Sequence, residues 1–166
     1  MRQVIAPELQ DLPEVSAVAV TNFLDYARQA FGDDLRSMIL YGSAAEGRLR
    51  PTSDINLLLI LSAFDPAKAN AARGQLSLAS SAARLKAMFL LESEVHSAVE
   101  LFAQKFSDIH RRHRVLYGPN PFADVSAPRS VIIRERAILS PDKADATLFR
   151  LIDLAGRLRA RVELLR

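Results

Sequence analysis

The sequence predicts an α/β domain that ends in a helical extension, and three observations carry that expectation. Two short, almost unbroken apolar runs, residues 38–41 and 55–61, have the length and character of buried strands. Ahead of them, residues 13–31 repeat apolar side chains at helical spacing. Near the end of the chain, Leu148, Leu151, Ile152, Ala155, Leu158, Val162 and Leu165 form a one-sided apolar stripe.

Taken in order, Asp11-Leu12-Pro13-Glu14 has the layout of a capping box with proline in the first turn, and Gly32 supplies the stop of the first helix. The strand at 38–41 ends at Gly42. Residues 42–47 read as a turn opening a short helix, and Pro51-Thr52-Ser53 as the return to the strand at 55–61. Asp65-Pro66 then caps an alanine-rich helix expected to reach about Lys86. Alternation of Val99, Leu101 and Ala103 with Glu100, Phe102 and Gln104 predicts a third strand over 98–106, and Ser107 is placed to cap a short helix over 108–114. Residues 115–117 lead into the turn Gly118-Pro119-Asn120-Pro121, and Ser126 and Ser140 are expected to open two final helices. A core over 1–121 and a helical extension of the same domain over 122–166 follow, with no linker to divide them.

Bulk composition limits the function classes. With 166 residues, 49% of them hydrophobic and 25% charged, the chain can build its own core. Cysteine is absent, which excludes thiolate metal sites, cysteine nucleophiles and disulfides. No apolar run approaches the ~20 residues of a membrane helix, and the N-terminal residues lack the order of a signal peptide, so a cytoplasmic location and no membrane contact are expected. The net charge is +3, with nine Arg or Lys against five Asp or Glu from 129 to 166 and a second basic knot at 110–114. These arginines lack interleaved aromatic residues, so solvated helix faces are expected and nucleic acid ranks last among partners. His110 and His113 are three apart without a third ligand at suitable spacing, and His96 is isolated.

The chemistry-bearing segment is Leu40-Tyr41-Gly42-Ser43-Ala44-Ala45-Glu46-Gly47 followed by Ser53-Asp54-Ile55-Asn56-Leu57-Leu58. A glycine directly after a buried strand lets backbone approach a phosphate, and Ser43 adds a hydroxyl beside main-chain N–H donors. Gly47 keeps the turn free of a side chain. Arg48 lies where it could clamp a phosphate.

This segment resembles the signature of the polymerase-β-like nucleotidyltransferase superfamily: a hydrophobic strand, Gly-Ser, a further glycine, then Asp-x-Asp opening the next strand. The resemblance implies a mixed sheet flanked by helices. It also implies transfer of a nucleoside monophosphate from a nucleoside triphosphate to an unknown hydroxyl-type acceptor, with magnesium held by Asp54, Asn56 and Glu100 as catalytic and metal-binding residues. Gly42, Ser43, Gly47, Arg48 and Lys105 would bind the nucleotide. The pattern departs from the family at Asn56, where the second aspartate belongs. The third acid is open between Glu100 and the position of Lys105, which on a strand would face opposite sides. The alternative implied is a degenerate nucleotide-binding or regulatory protein, such as the antitoxin-like partner of a helical toxin. The C-terminal stripe would then serve a homodimer or a helical protein partner, unless it packs on the sheet.

Overall fold

The computed structural model describes residues 6–125, 153–154 and 156–160. Helix α1 (Glu14–Phe31) turns Ala17, Val20, Phe23, Ala27 and Phe31 inward, as the helical spacing predicts. Its first turn differs from expectation. Pro13 is the capping residue and no side chain caps it. Asp11 is instead drawn to the Arg114 guanidinium, whose Nη1 and Nη2 reach its two carboxylate oxygens at 2.6 and 2.5 Å. A two-point charged pair outweighs a neutral cap.

Strand β1 (Leu35–Tyr41) pairs antiparallel with β2 (Ile55–Leu61), setting Tyr41 opposite Asn56 and Leu40 opposite Leu57. The Asp65 carboxylate accepts from the Ala67 and Lys68 amides and starts α2 (Pro66–Ala82), with Pro66 in the first turn as expected. That helix stops well short of Lys86. Strand β3 (Leu85–Leu91) follows it and runs parallel to β2, putting Lys86 opposite Asn56 and Met88 opposite Leu58. After a 3-10 turn at Glu92–Glu94 come α3 (Val95–Leu101) and α4 (Ala103–Arg111), and then β4 (His113–Tyr117), antiparallel to β1. The mixed sheet has the order β3-β2-β1-β4.

Residues 98–106 therefore form two helices rather than a third strand. Val95, Ala98 and Val99, then Phe106 and Ile109, are buried at helical intervals, and this burial overrides the local alternation. The short helix expected over 108–114 is the end of α4, which gives way to β4 at His113. The two helices expected after Ser126 and Ser140 fall mainly on residues outside those described.

Each sheet face has its own core. Met38, Leu40, Leu57, Leu59, Leu85 and Phe89 pack against α1 and α2, while Ile39, Leu58, Ile60 and Leu90 pack against α3, α4 and Phe122. Helical turns at 153–154 and 156–160 bring Leu154 and Leu158 onto the second face, so Leu158, a member of the C-terminal stripe, lies on the sheet's flank. Arg157 ties these turns to the mostly buried Glu94 at 3.4 Å. No described helix is long and apolar enough to cross a membrane.

Beyond β4 the chain turns at Gly118, with φ +73°. A Cβ there would stand 1.9 Å from the Arg36 carbonyl oxygen. Gly118→Ala should therefore destabilise the fold by about 2–3 kcal/mol, read from the urea midpoint.

The charged ties also set the response to acid. Asp11 is held below the usual carboxylate range by its hydrogen bonds from Arg114, and Asp34 by Lys68 and then Ser62. Depressed folded-state values stabilise the fold above the unfolded value of about 3.9 and lose that contribution as pH falls through the lowered values. Urea midpoints should accordingly stay level from pH 7 to about 5 and drop below about 4, the drop shrinking in Asp11→Asn.

Candidate functional site

Pairing of Tyr41 with Asn56 brings the turn after β1 and the start of β2 to the same end of the sheet. The turn is a single 3-10 turn at Gly42–Ala44 rather than the opening of a helix. Gly42 has φ +79°, which favours glycine, and a Cβ on it would lie 3.6 Å from the Asn56 Nδ2. Its N–H is already used, donating to the Arg112 carbonyl at 3.1 Å. The Ser43 carbonyl accepts from the Arg48 amide at 2.9 Å, closing the turn, and the Arg48 side chain is exposed.

Gly47 faces the other way, toward the N-terminal segment. A Cβ there would meet the Asp11 Oδ2 at 2.7 Å and come within 3.9 Å of the Arg114 Nη2. Arg114 also donates from Nε to the Ala45 carbonyl at 2.6 Å and from Nη1 to the Glu8 carbonyl at 2.8 Å. One side chain thus fastens the turn to β4 and to the residues before α1. Glu46 pairs with Arg112 at 3.2 Å, adding a second tie.

Asp54 sits just before β2, two residues from Asn56, so both belong to the sheet face that carries Leu58 and Ile60. The resemblance leads one to expect further acid beside them, but the structure supplies cations. Lys86 Nζ donates to Asp54 Oδ2 at 2.5 Å, and Arg84 Nε donates to Oδ1 at 3.2 Å. These bonds, Lys86's foremost, hold the Asp54 carboxyl below its ordinary range. Arg84 reaches this position from a left-handed backbone, φ +51°, the only positive φ outside glycine among the described residues. Its carbonyl accepts the Ile55 amide at 3.1 Å, which locks the conformation into the sheet's end. A left-handed non-glycine residue costs on the order of 1 kcal/mol and marks a site where surrounding structure overrides preference.

Asn56 turns its amide back toward the Asp54 carbonyl, Nδ2 to O 3.5 Å. Beside it opens a groove of about 630 Å³ that wraps the β3 edge, lined in part by Tyr41, Asn56, Lys86, Met88, Lys105 and the serines of α2. Lys105 rises from α4, and among the described residues it has no ion pair. Burial raises the Tyr41 phenol above its usual value, so it stays neutral at the groove's wall. Glu100 lies on the exposed side of α3, paired with His96 at 3.3 Å. Since Glu100 and Lys105 stand on two separate helices, the strand argument that set them on opposite faces does not apply. Lys105 borders the groove and Glu100 does not.

The donor set can be tested against the magnesium pair that the resemblance implies. Hard divalent ions need several anionic or neutral oxygens converging. Here Asp54 already accepts from two cations, Asn56 points its N–H₂ at a carbonyl, and the strand position across from Asn56 is an ammonium. Among the described residues no three His, Asp or Glu side chains gather as a metal site, and the described residues do not fit a two-ion centre. His110 and His113 instead pack edge-on or tilted against each other and Phe122, and His113 Nδ1 lies 3.0 Å from the Ile109 carbonyl.

Sequence reasoning missed Arg84 and Lys86 because it carried the second helix through them. The one local signal was the strand-length apolar run Ala87-Met88-Phe89-Leu90-Leu91, which has neither alternation nor a β-branched residue to separate it from the helix before it.

No protein-family model and no curated protein matches the chain. Among solved structures, a spectinomycin adenyltransferase from Enterococcus faecialis, with ATP and spectinomycin, is similar in fold at TM-score 0.53 and 12% identity. The match covers 62% of this chain and spans 56% of the adenyltransferase. A toxin–antitoxin complex with AMP-PNP aligns at TM-score 0.41 and 14% identity over 86% of this chain and 91% of that one. A Shewanella oneidensis complex of a tri-AMPylated HEPN toxin with an MNT antitoxin aligns at TM-score 0.39 and 13% identity, over 89% and 92%. The fold is nucleotidyltransferase-like: a four-stranded mixed sheet flanked by helices.

Lys86→Met should raise the Asp54 carboxyl's midpoint toward the ordinary value by more than Arg84→Gly does, followed by carboxyl NMR titration. A separate check concerns metal: Asn56→Asp combined with Lys86→Glu should raise manganese affinity at least about tenfold over the parent, measured by electron paramagnetic resonance.

Proposed function

We propose that this chain is a nucleotide-binding protein of the nucleotidyltransferase fold that holds a nucleoside triphosphate in the groove beside Asn56 and does not carry out two-metal nucleotidyl transfer. One observation supports this above the others. The groove lined by Tyr41 and Asn56 is bordered by Lys86 and Lys105, with Arg84 adjacent, while Asp54, the carboxylate two residues from Asn56, is already engaged by cations. Such a rim attracts phosphate, and its volume lies within the usual range for small-molecule sites, about 300–1,000 Å³.

Transfer in this fold, as the resemblance implies it, relies on acids that hold magnesium to align the triphosphate and offset charge on the phosphoryl group. Asp54, Asn56 and Glu100 were expected to supply that set. Asp54 and Asn56 are adjacent, but their hydrogen bonds point them at cations and backbone, and Glu100 does not line the groove. A regulatory role follows more readily, in which nucleotide occupancy is the signal. The toxin–antitoxin complexes above bear on this only as an example of the fold in such a setting, and any protein partner here remains part of the proposal.

Calorimetry with ATP and GTP is the test. Binding with dissociation constants in the micromolar range is expected, weakened about tenfold in Lys105→Gln, while radiolabelled ATP incubated with the protein releases no pyrophosphate above background. Failure of both nucleotides to bind would remove the reading, and steady pyrophosphate release would replace it with the transferase reading.

A further inference from the structure

We propose that Lys86, Arg84 and Lys105 do the electrostatic work that divalent ions would otherwise do, so that the preferred ligand is a metal-free polyphosphate tail. This rests on the reading of the groove as a nucleotide site and adds which ionic form of the nucleotide it takes.

Lys86 occupies the β3 residue directly across from Asn56. A side chain there points to the same face as Asn56, toward the space beside the β1 turn. Its ammonium donates to Asp54 Oδ2 at 2.5 Å, which directs it toward the start of β2. Arg84 is held on the other carboxylate oxygen by a backbone conformation that few arginines adopt. Asp54 therefore acts as an anchor that sets the two cationic heads side by side.

Capacity for a ligand remains after the anchor is satisfied. An ammonium has three donors and Lys86 gives one to Asp54; a guanidinium has five and Arg84 gives only Nε. Both heads stay open to solvent, at 68% and 60% side-chain exposure, so phosphate oxygens can reach the unused donors. Lys105 reaches the groove from α4 and brings a third positive charge to the Asn56 side.

Charge then chooses between ligand forms. Three cations against one carboxylate leave a local surplus of positive charge, which favours a tetra-anionic triphosphate over one whose charge is halved by bound magnesium. A magnesium ion riding on the nucleotide would also approach two ammonium groups and a guanidinium, with no carboxylate among the described residues that line the groove to receive it. Because the heads are partly exposed, this preference should weaken as salt rises.

Calorimetry of the full chain with ATP, once in excess chelator and once in excess magnesium, distinguishes the possibilities. The expected result is an affinity at least about tenfold higher without magnesium, with inorganic tripolyphosphate competing for the same site in chelator. Lys105→Gln and Lys86→Gln should each cut the metal-free affinity about tenfold and narrow the difference between the two buffers. Lys105 is exposed on α4 and has no ion pair among the described residues, so its variant remains informative even if the Lys86 variant does not fold. Affinity that is equal or greater with magnesium overturns the inference while leaving the nucleotide site standing. Absence of ATP binding in both buffers overturns the inference and the nucleotide reading together.

Discussion

The parallel pairing of β2 with β3 determines what stands beside Asp54. Its register sets Ile55 across from Leu85 and Asn56 across from Lys86, and Leu57 through Leu61 then follow against Ala87 through Leu91 without a slip. Slipping by one residue would turn the whole hydrophobic set of β3 away from its core, so the apolar run fixes the register far more firmly than any charge could. Phe89 is held in the α1 and α2 core, against Phe31 with ring centroids 5.8 Å apart, and Leu90 in the other. The lysine's place is thus dictated by side chains three and four positions away. Its pairing with Asp54 follows from packing and needs little stabilising energy of its own.

A comparable division of labour holds the turn. The phosphate-cradle reading assigned both glycines to a ligand, yet only Gly42 adjoins Asn56, while Gly47 makes room for Asp11 and Arg114. Arg114 binds the Ala45 carbonyl, the Glu8 carbonyl and both Asp11 oxygens, so the turn is clamped from its outer side. Those contacts join three separate stretches of chain and keep the inner side of the turn in a fixed place relative to β2. Preorganisation of this kind lowers the ordering cost that binding would otherwise incur.

Much of this was legible from sequence where the physics is local. Strands β1 and β2, α1 and the start of α2 each carry a periodicity, a cap or a stop that few alternatives satisfy. The misses have local reasons too. Leu85–Leu91 contains no β-branched residue and adjoins an alanine-rich helix, so propensity favours continuing that helix; only the space beside β2 makes it a strand. Helices α3 and α4 are seven and nine residues long and joined through Phe102, too short for their period to stand out against a chance alternation. At the site, Asp54 and Asn56 were visible because they are two apart where β2 begins, whereas Lys86 and Arg84 acquire meaning only once β3 is paired. Asp11 was read as a cap because its partner lies more than a hundred residues away.

A fold sets where a ligand can lie; the charges placed around that position set which ligand is stable there. In this chain the turn after β1 and the start of β2 meet at one end of the sheet, and the side chains that reach Asp54 there are cations, opposite in sign to the acids of a metal centre. Reversing one residue would not restore such a centre. Asn56→Asp alone would place a new carboxylate beside Lys86, and the ammonium would pair with it as it pairs with Asp54, at less cost than removing water from a divalent ion. The cationic strand position and the amide on β2 are therefore coupled: each makes the other tolerable, and a change in function would have to alter both together.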